Sequence, residues 1–309
     1  MSGGLVTFGE TMGAVSADGI GPFAYAKSFS FGIGGAESNV AVGVARLGGK
    51  STWLGRVGPD ATGALISRRL ADAGVRAIAI EDTSFTGLMV RFKRSGEFMH
   101  VDYHRAGSAG SRLSPADIPA GEVREAGILH VTGITPALSD TCRAAVFQSV
   151  EIALAAGVPV SVDVNYRSKL WSPLDAAPVL RDLVSMADIV FASPDEAALF
   201  VDDGDPLAGL AKLGPTEVVV KDGGRGCVAL INGERHQVPA LPVTVVDPVG
   251  AGDAFVAGYL ADRLAGAGAG QCLRTAIAAG AFAVTVPGDC EGLPDRDELA
   301  ALAGGDIRR

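Results

Sequence analysis

The sequence predicts an α/β fold in which a mainly parallel sheet lies between two layers of helices. Runs rich in β-branched and apolar residues alternate with helical runs along most of the 309 residues. This alternation is typical of βαβ units, which build a parallel sheet with helices on both faces. The chain is long enough to bury one large core, and it shows no internal repeat or low-complexity linker. We therefore expect a single domain over residues 1–309.

Strands and helices alternate through the first two thirds of the chain. The strand candidates are Leu5–Phe8, Ser51–Gly55, Ile128–Thr132, Val158–Val164, Ile189–Ala192 and Glu217–Lys221. The helical stretches between them are Glu37–Leu47, Asp60–Ala73, Ser139–Ala156 and Leu174–Ser185. From Cys227 to Pro239 the pattern indicates a hairpin that turns at Asn232-Gly233, a pair that favours tight turns. The last third is mostly helical, with Leu273–Val286 as the clearest case.

The segment Asp247–Asp253, with the sequence DPVGAGD, carries the most functional information. It follows Leu241–Val246, which is rich in β-branched residues, and leads into small and apolar residues that suit a buried helix. Glycines at a helix N-terminus leave free backbone N–H groups that attract anions and that a ligand oxygen can approach closely. Asp253 beside such an anion hole suits a general base that takes a proton from a hydroxyl. The alternative is a simple N-cap, but the strand–turn–helix context favours phosphoryl transfer.

Two segments interrupt the alternation of strands and helices. Phe23–Ile33 and Thr86–Tyr103 alternate apolar and polar residues without adjoining helices, and Ser95-Gly96 indicates a turn. Ordinary edge strands would explain the pattern. A small separate sheet that covers the site is favoured, because phosphoryl transfer requires the exclusion of water. We expect this lid to comprise roughly residues 12–33 and 86–105.

Polar clusters follow several predicted strands. Residues 163–167, DVNYR, place a carboxylate, an amide and a guanidinium at a strand end, where α/β proteins bind ligands. In the next cluster, SPDE at 193–196, Glu196 could hold a metal-bound water or only offset the helix dipole. Lys221 begins the turn KDGGRG, which could contact a nucleotide or be only a hairpin turn. GIGGAE at 32–37 fails the dinucleotide fingerprint, because Glu37 stands where the third glycine belongs.

Composition restricts the partners and the location. The formal net charge of −9 argues against nucleic acid or an anionic membrane as partner, so local Arg and Lys must hold any anionic substrate. The four cysteines are scattered without a CxxC pair, and the histidines lack metal-ligand spacing, so we predict no direct metal site. Because a signal peptide and an apolar run of about 18 residues are both missing, we expect a cytoplasmic protein without a membrane partner.

Along nearly its whole length the chain resembles the ribokinase-like (PfkB) family of carbohydrate kinases. The resemblance rests on GGAESNVAVGVARLG at 34–48 and on the highly specific DPVGAGD at 247–253. Within the family, the chain is most similar to bacterial kinases of 2-keto-3-deoxygluconate, through YHRAGSAGS at 103–111, TGITPALS at 132–139, and DVNYR followed by LWSP at 170–173. Pro248, where the broader family has Thr, also fits this subgroup. The resemblance implies a ribokinase-like three-layer α/β/α fold with a mainly parallel central sheet and a small β-sheet lid.

The resemblance also implies a role for individual residues. Asp253 would be the catalytic base, and the anion hole would consist of Gly250, Ala251 and Gly252. The sugar site would be lined by Gly34, Gly35, Ala36, Glu37, Ser38, Tyr103, Arg105, Arg167 and Asp289. The nucleotide site would be lined by Asn165, Ser193, Glu196, Lys221, Gly223 and Gly226. Two positions depart from the family: Met89 stands where related kinases can place Tyr, and Ile277 where an Asn often contacts the nucleotide.

The resemblance thus implies an ATP-dependent kinase that phosphorylates the terminal hydroxyl of 2-keto-3-deoxy-D-gluconate. Mg²⁺ would assist, with or without a monovalent cation. Arg105 and Arg167 are the candidates to bind the substrate carboxylate, and a structural ion pair such as Arg167 with Asp163 is the alternative. A kinase of fructose or ribose is the rival within the class, and a non-catalytic nucleotide- or sugar-binding regulator is the rival outside it. An exposed lid sheet would favour a homodimer or a higher oligomer that pairs lid to lid.

Overall fold

A nine-stranded sheet and a four-stranded sheet make up the β structure of the protein. The computed structural model describes residues 3–95, 98–201 and 204–304. Its strands are β1 Leu5–Phe8, β2 Met12–Ile20, β3 Phe29–Gly34, β4 Ser51–Val57, β5 Arg76–Glu81, β6 Leu88–Lys93, β7 Met99–His104, β8 Ile128–Thr132, β9 Val160–Asp163, β10 Ile189–Ala192, β11 Glu217–Lys221, β12 Cys227–Ile231 and β13 Glu234–Val238.

The helices follow the predicted alternation closely. They are α1 Ala36–Arg46, α2 Ala61–Asp72, α3 Ala120–Glu125, α4 Asp140–Ala156, α5 Pro173–Ser185, α6 Pro194–Ala197, α7 Pro206–Ala211, α8 Ala251–Leu264, α9 Ala269–Ala283 and α10 Arg296–Gly304. Side chains supply several of the N-caps. Ser139 accepts a hydrogen bond from the backbone of Cys142 at α4, and Ser172 accepts one from Asp175 at α5. No helix in the described parts of the chain is both long and apolar enough to cross a bilayer.

The large sheet forms the body of the molecule, in the order β13-β12-β11-β10-β9-β8-β1-β4-β5. Its pairs are parallel from β5 to β11, and the predicted hairpin of β12 and β13 adds the antiparallel edge. One apolar core packs α4, α5 and α7 on one face of this sheet, and a second packs α1, α8 and α9 on the other face. The predicted three-layer α/β/α fold is therefore confirmed.

The small sheet, in the order β3-β2-β6-β7, is called the lid sheet below. It consists of the segments predicted to form a separate sheet, although residues Phe23–Tyr25 form a short 3₁₀ turn and β3 begins only at Phe29. Gly96, part of the predicted turn, lies outside the described residues. The inward face is anchored by the buried side chains of Met12, Ala14 and Met89. Parallel pairing of β2 with β6 joins the two segments across the sequence.

Some predicted boundaries were wrong. Leu241–Val246 is not a strand, since Pro242 lacks a donor and the N–H groups of Val246 and Asp247 both donate to the carbonyl of Val284. The last long helix begins at Ala269 rather than at Leu273 and ends at Ala283. Arg76–Glu81, an edge strand with no fully buried residue, was missed because its apolar run is short and has a charged residue at each end.

Candidate active site

A cleft of about 1680 Å³ lies between the lid sheet and the carboxyl ends of the body strands. Because β1, β8, β9, β10 and β11 run parallel, the segments that follow them meet at this edge. All but one of the predicted site residues line the cleft. The exception is Ser38, which is buried and donates a hydrogen bond to the carbonyl of Gly35 in the first turn of α1. Met89 and Ile277, the two departures from the family, also line the cleft.

The N-terminus of α8 lies in the cleft at the place where the sequence predicts an anion hole. Gly250 is the N-cap residue and has a φ of 77°, in the left-handed region that glycine adopts without strain. A side chain at Gly250 would also overlap the carbonyl of Asp289. Asp247 organises the preceding loop, because its carboxylate accepts hydrogen bonds from the backbones of Val249 and Gly288. The first turn of α8, from Gly250 to Asp253, lines the cleft.

Asp253 lies in the first turn of α8 and is held by a side chain that was not predicted. Asn39 Nδ2 on α1 donates a hydrogen bond to Asp253 Oδ2 over 2.8 Å. Burial raises the pKa of Asp253 to about 6, while the hydrogen bond from Asn39 and the charges of Arg167 and Lys221 oppose that rise. The group is thus ionised at neutral pH, with a proton affinity higher than that of an ordinary aspartate. Such a carboxylate can act as a general base.

An ion pair lies next to the first turn of α8. Lys221 Nζ at the end of β11 donates to both carboxylate oxygens of Asp163 at the end of β9, each over 2.8 Å. The ammonium lies 3.7 Å from the position that a Cβ atom would occupy on Gly252. Burial raises the pKa of Asp163 to about 6 although Lys221 lowers it. The pair places a fixed positive charge next to the helix end, where a transferring phosphoryl group needs one.

The predicted nucleotide residues lie around the ends of β9, β10 and β11. Glu196 accepts backbone hydrogen bonds from Ser193 over 2.7 Å and from Tyr166 over 3.0 Å, so its carboxylate ties the two strand ends together. Ser193 Oγ accepts a bond from the backbone of Glu196 in return, which completes a capping box. Asn165 is buried with a φ of 39°, an uncommon conformation for a residue other than glycine. Gly223 and Gly226 form the turn after β11 and line the cleft.

The predicted sugar residues differ in how freely they face the cleft. Glu37 is buried, and its Oε1 accepts hydrogen bonds from the hydroxyls of Thr132 and Thr135 over 2.6 Å each. Burial raises its pKa. Gly34 has no room for a side chain, because a Cβ atom there would overlap the carboxylate of Asp289. Gly35 and Ala36 continue this backbone surface into α1.

Arg105 and Arg167 have different surroundings. Arg105 Nε donates to Glu10 Oε2 over 2.7 Å, and the hydroxyl of Ser108 also bonds to this buried carboxylate. Arg167 is exposed and makes no ion pair within residues 3–95, 98–201 and 204–304. The pair considered between Arg167 and Asp163 is not formed, because Asp163 pairs with Lys221. The guanidinium of Arg167 is therefore the freer of the two for a ligand.

Tyr103 and Asp289 complete the sugar side of the cleft. The ring of Tyr103 lies near two cations, with its centroid 5.8 Å from the guanidinium of Arg105 and 5.6 Å from the ammonium of Lys169. Asp289 lies on the loop between α9 and α10 and pairs with Arg91 of the lid sheet over 2.6 Å. Burial raises the pKa of Asp289 to about 6.

Sequence reasoning missed Asn39, Glu10 and Arg91. Asn39 belongs to the GGAESN signature and could have been found there, although its partner Asp253 is far away along the chain. Glu10 follows β1 as a charge at a strand end, the same signal that singled out residues 163–167. Arg91 lies within an alternating strand and carries no such signal.

The fold and this site define a phosphotransferase that acts on small polar acceptors at the edge of an α/β sheet. The chain belongs to the pfkB family of carbohydrate kinases, whose family model, pfkB family carbohydrate kinase, matches residues 3–296. The predictions of the family and of a carbohydrate kinase are confirmed.

Relatives cover nearly the whole chain. It is 37% identical over 307 residues to the 2-dehydro-3-deoxygluconokinase of Bacillus subtilis (strain 168), covering 96% of this chain and 94% of the relative. It is 37% identical over 289 residues to the fructokinase of Klebsiella pneumoniae, covering 86% of this chain and 90% of the relative. Among solved structures, a putative ribokinase II from E. coli in complex with ATP and Mg²⁺ superposes with a TM-score of 0.91 at 28% identity, covering 98% and 100% of the two chains.

Proposed function

We propose that the protein transfers the γ-phosphoryl group of ATP to the terminal hydroxyl of 2-keto-3-deoxy-D-gluconate, giving the 6-phosphate. The observation that carries this proposal is the placement of the half-buried carboxylate of Asp253, whose pKa is raised, in the first turn of α8, in a chain of the carbohydrate kinase family. The B. subtilis relative, named 2-dehydro-3-deoxygluconokinase, supports the choice of a sugar acid.

In the proposed reaction, Asp253 removes the proton of the terminal hydroxyl as its oxygen attacks the γ-phosphorus. A new O–P bond forms, the bond to the bridging oxygen breaks, and ADP leaves with that electron pair. Asn39 holds Asp253 in position, because it fixes one carboxylate oxygen and leaves the other free to accept the proton. The N–H groups at Gly250–Gly252 and the ammonium of Lys221 stabilise the negative charge of the transferring group. Positioning and electrostatics thus supply most of the rate.

ATP and Mg²⁺ fit the residues at the ends of β9, β10 and β11. The E. coli structure contains ATP and Mg²⁺, which supports their use in this family. Within the described parts of the chain, no three His, Cys, Asp or Glu side chains converge to hold a metal ion. Mg²⁺ at such a site would be bound mainly by phosphate oxygens and water, and Glu196 would hold one of the metal-bound waters. Bound Mg²⁺ would neutralise charge on the phosphates.

We propose that Arg167 provides the main contact to the carboxylate of the sugar acid. Its planar guanidinium is exposed in the cleft, whereas that of Arg105 already binds Glu10. Arg105 would then contribute charge and support the ring of Tyr103. On a protein of net charge −9, this local positive charge is what distinguishes an acidic sugar from a neutral one. A fructose or ribose kinase is the second candidate, favoured by the fructokinase relative and by Met89 in place of Tyr.

We further propose that the protein is a cytoplasmic homodimer or higher oligomer that pairs through the lid sheet. Large apolar side chains are exposed on or beside this sheet, among them Ile20, Phe23, Tyr25, Phe29 and Phe31. Exposed apolar clusters of this kind are typical of protein–protein interfaces. A reducing compartment is supported by the cysteines Cys142, Cys227, Cys272 and Cys290, which are all free and buried.

Product analysis tests the proposed reaction. The purified enzyme is incubated with ATP, Mg²⁺ and 2-keto-3-deoxy-D-gluconate, and the product is examined by proton-coupled ³¹P NMR. We expect a phosphomonoester whose phosphorus couples to the protons of the terminal methylene group. Coupling to a different carbon, or no ester from the keto acid while fructose or ribose is converted, would contradict the proposal.

A further inference from the structure

A buried ion pair joins the lid sheet to the body at the edge of the cleft. Arg91 on β6 donates from Nη1 to Asp289 Oδ1 over 2.6 Å, and both side chains are only 7% exposed. The Nε of Arg91 donates to Ser16 Oγ on the neighbouring strand β2 over 2.5 Å. Two strands of the lid sheet therefore fix the guanidinium. Charge pairs with this degree of burial are strongly coupled, because loss of one partner leaves the other charge buried alone.

Asp289 lies where the anion hole and the sugar side of the cleft meet. Its carbonyl packs against Gly250, and its Oδ2 packs against the Cα of Gly34 so closely that neither glycine could carry a side chain. The loop that carries Asp289 is neither helix nor strand, and it is held by Glu291, whose Oε2 accepts a hydrogen bond from the backbone of Asp289 over 3.0 Å. The backbone thus fixes the position of Asp289, whereas the rotation of its carboxylate depends on Arg91.

We propose that Arg91 is a positioning residue that orients the carboxylate of Asp289 for sugar binding from the lid sheet. Arg91 holds Oδ1, so that Oδ2 faces the cleft and accepts a hydrogen bond from a sugar hydroxyl. This orientation exists only while β6 lies on the body, and it therefore couples closure of the lid to recognition of the sugar. The inference rests on the proposed function, since it needs a sugar in the cleft.

The acidic groups around Asp289 explain why a cation is needed to keep its carboxyl group ionised. Arg91 on β6 is paired with it, while Glu291 on its own loop, Asp247 before α8 and Asp253 on α8 are acidic groups nearby. The pKa of Asp289 is raised to about 6, mainly by burial and also by the charges of Glu291 and Asp247, whereas Arg91 opposes this rise. Without Arg91 the pKa would rise, so more of the carboxyl would be protonated near neutral pH. A protonated carboxyl is the weaker acceptor for a sugar hydroxyl.

The test compares two variants of the same lid strand. Arg91→Met removes the contact to Asp289. Lys93→Met is the matched control, because Lys93 also bonds the lid to the body, at the carbonyl of Val246, without touching Asp289. KM and kcat are measured from pH 6 to pH 8 with the sugar that the wild type phosphorylates best. We expect Arg91→Met to raise the KM for this sugar about tenfold to hundredfold, as loss of a charge-assisted contact does, with the KM for ATP unchanged.

The pH dependence of the sugar KM shows whether Arg91 orients the carboxylate of Asp289 or only attaches the lid sheet to the body. For Arg91→Met the increase in sugar KM should be larger at pH 6 than at pH 8, because Asp289 is then more protonated. In an Asp289→Asn background, Arg91→Met should add little, since the two residues act together. Arg91→Lys, which keeps the charge, should recover part of the affinity and serves as the folded variant if Arg91→Met does not fold.

The outcomes distinguish this role from the proposed function. Equal increases of sugar KM in Arg91→Met and Lys93→Met, an increase independent of pH, or additive effects with Asp289→Asn would show that the pair only attaches the lid. If Arg91→Met does not fold, Arg91→Lys is compared with Lys93→Met and combined with Asp289→Asn in the same way, and the same results would contradict the role of Arg91. A wild-type enzyme that phosphorylates no sugar would overturn both the proposed function and this role. Wild-type activity with equal effects of the two variants would overturn only the role of Arg91.

Discussion

The body and the lid sheet differ in how their strands are buried. Every residue of β8, β9 and β10 is buried, because helices cover both faces of the central sheet. In the lid sheet, β3 is exposed over its first three residues and β7 over its last three. The body therefore holds its residues rigidly, whereas the lid is attached along one face. The groups for phosphoryl transfer lie on the body, and several groups for sugar binding lie on the lid or pair with it.

The ion pairs of the two regions differ in whether they lie within the body or join the lid to it. Lys221 and Asp163 are both anchored on central strands of the body. By contrast, Arg91 reaches from the lid to Asp289. Opening the lid would break the second pair and leave the first intact. The comparison predicts that changes to the phosphoryl-transfer groups of the body affect kcat, whereas changes at the lid affect the affinity for the sugar.

The largest effect is expected for Asp253→Asn. The change keeps the shape of the side chain and removes the base, so kcat should fall by about a hundredfold to ten-thousandfold while ATP binding is retained. Kinetics and calorimetric titration with ATP measure the two quantities. Asp262→Asn is a matched control on the same helix, where the carboxylate is buried but bonds to Thr275 and Arg296 and does not line the cleft. It should lower the melting temperature and leave kcat nearly unchanged. Near-wild-type turnover of Asp253→Asn would show that Asp253 is only a cap.

Smaller effects are expected for Arg167→Met and Arg105→Met, and the two variants should differ in stability. Arg167→Met should raise the KM for the keto acid about tenfold to hundredfold and leave the melting temperature unchanged, because Arg167 makes no ion pair in the described structure. Arg105→Met should also lower the melting temperature, because it leaves the carboxylate of Glu10 buried without its cation. Michaelis constants for the keto acid and for a neutral analogue, with thermal melts, check this difference. An equal increase for both substrates in Arg167→Met would exclude a role in carboxylate recognition.

The smallest effect is a change in the dynamics of the lid sheet. Hydrogen exchange with and without sugar should show increased protection in β2, β3, β6 and β7. The amides of β8–β10 should change little, because they are already buried in the sheet core. If the lid strands were equally protected in both states, they would form a static sheet without a gating role.

Many strands of the body could be predicted from the sequence because the signals that mark them lie within or next to each strand. The strands Leu5–Phe8, Ile128–Thr132, Ile189–Ala192 and Glu217–Lys221 have the predicted bounds, since each is a short apolar run between turn or helix signals. Leu241–Val246 is also rich in apolar residues but is not a strand, since Pro242 interrupts it and its last N–H group donates to the carbonyl of Val284 at the end of α9. Composition alone does not specify a pairing partner.

The site was predictable to the extent that strand ends and signatures mark it. Residues 248–253 of the DPVGAGD segment and residues from each polar strand end line the cleft, whereas Ser38 of the early signature donates to a carbonyl of its own helix turn. The contacts of Asn39 with Asp253 and of Arg91 with Asp289 depend on how α1 packs against α8 and how the lid sheet lies on the body. Such long-range contacts have no local pattern. The single domain over residues 1–309 stays a prediction.

The central claim, that the protein is a kinase of a sugar acid, is tested most directly by the substrate preference of the wild-type enzyme. A coupled assay of ADP release measures kcat/KM for 2-keto-3-deoxy-D-gluconate, related sugar acids, fructose and ribose under the same conditions. We expect the keto acid to have the highest kcat/KM, because Arg167 offers a free guanidinium in the cleft that a neutral sugar cannot use. A higher kcat/KM for fructose or ribose would contradict the account.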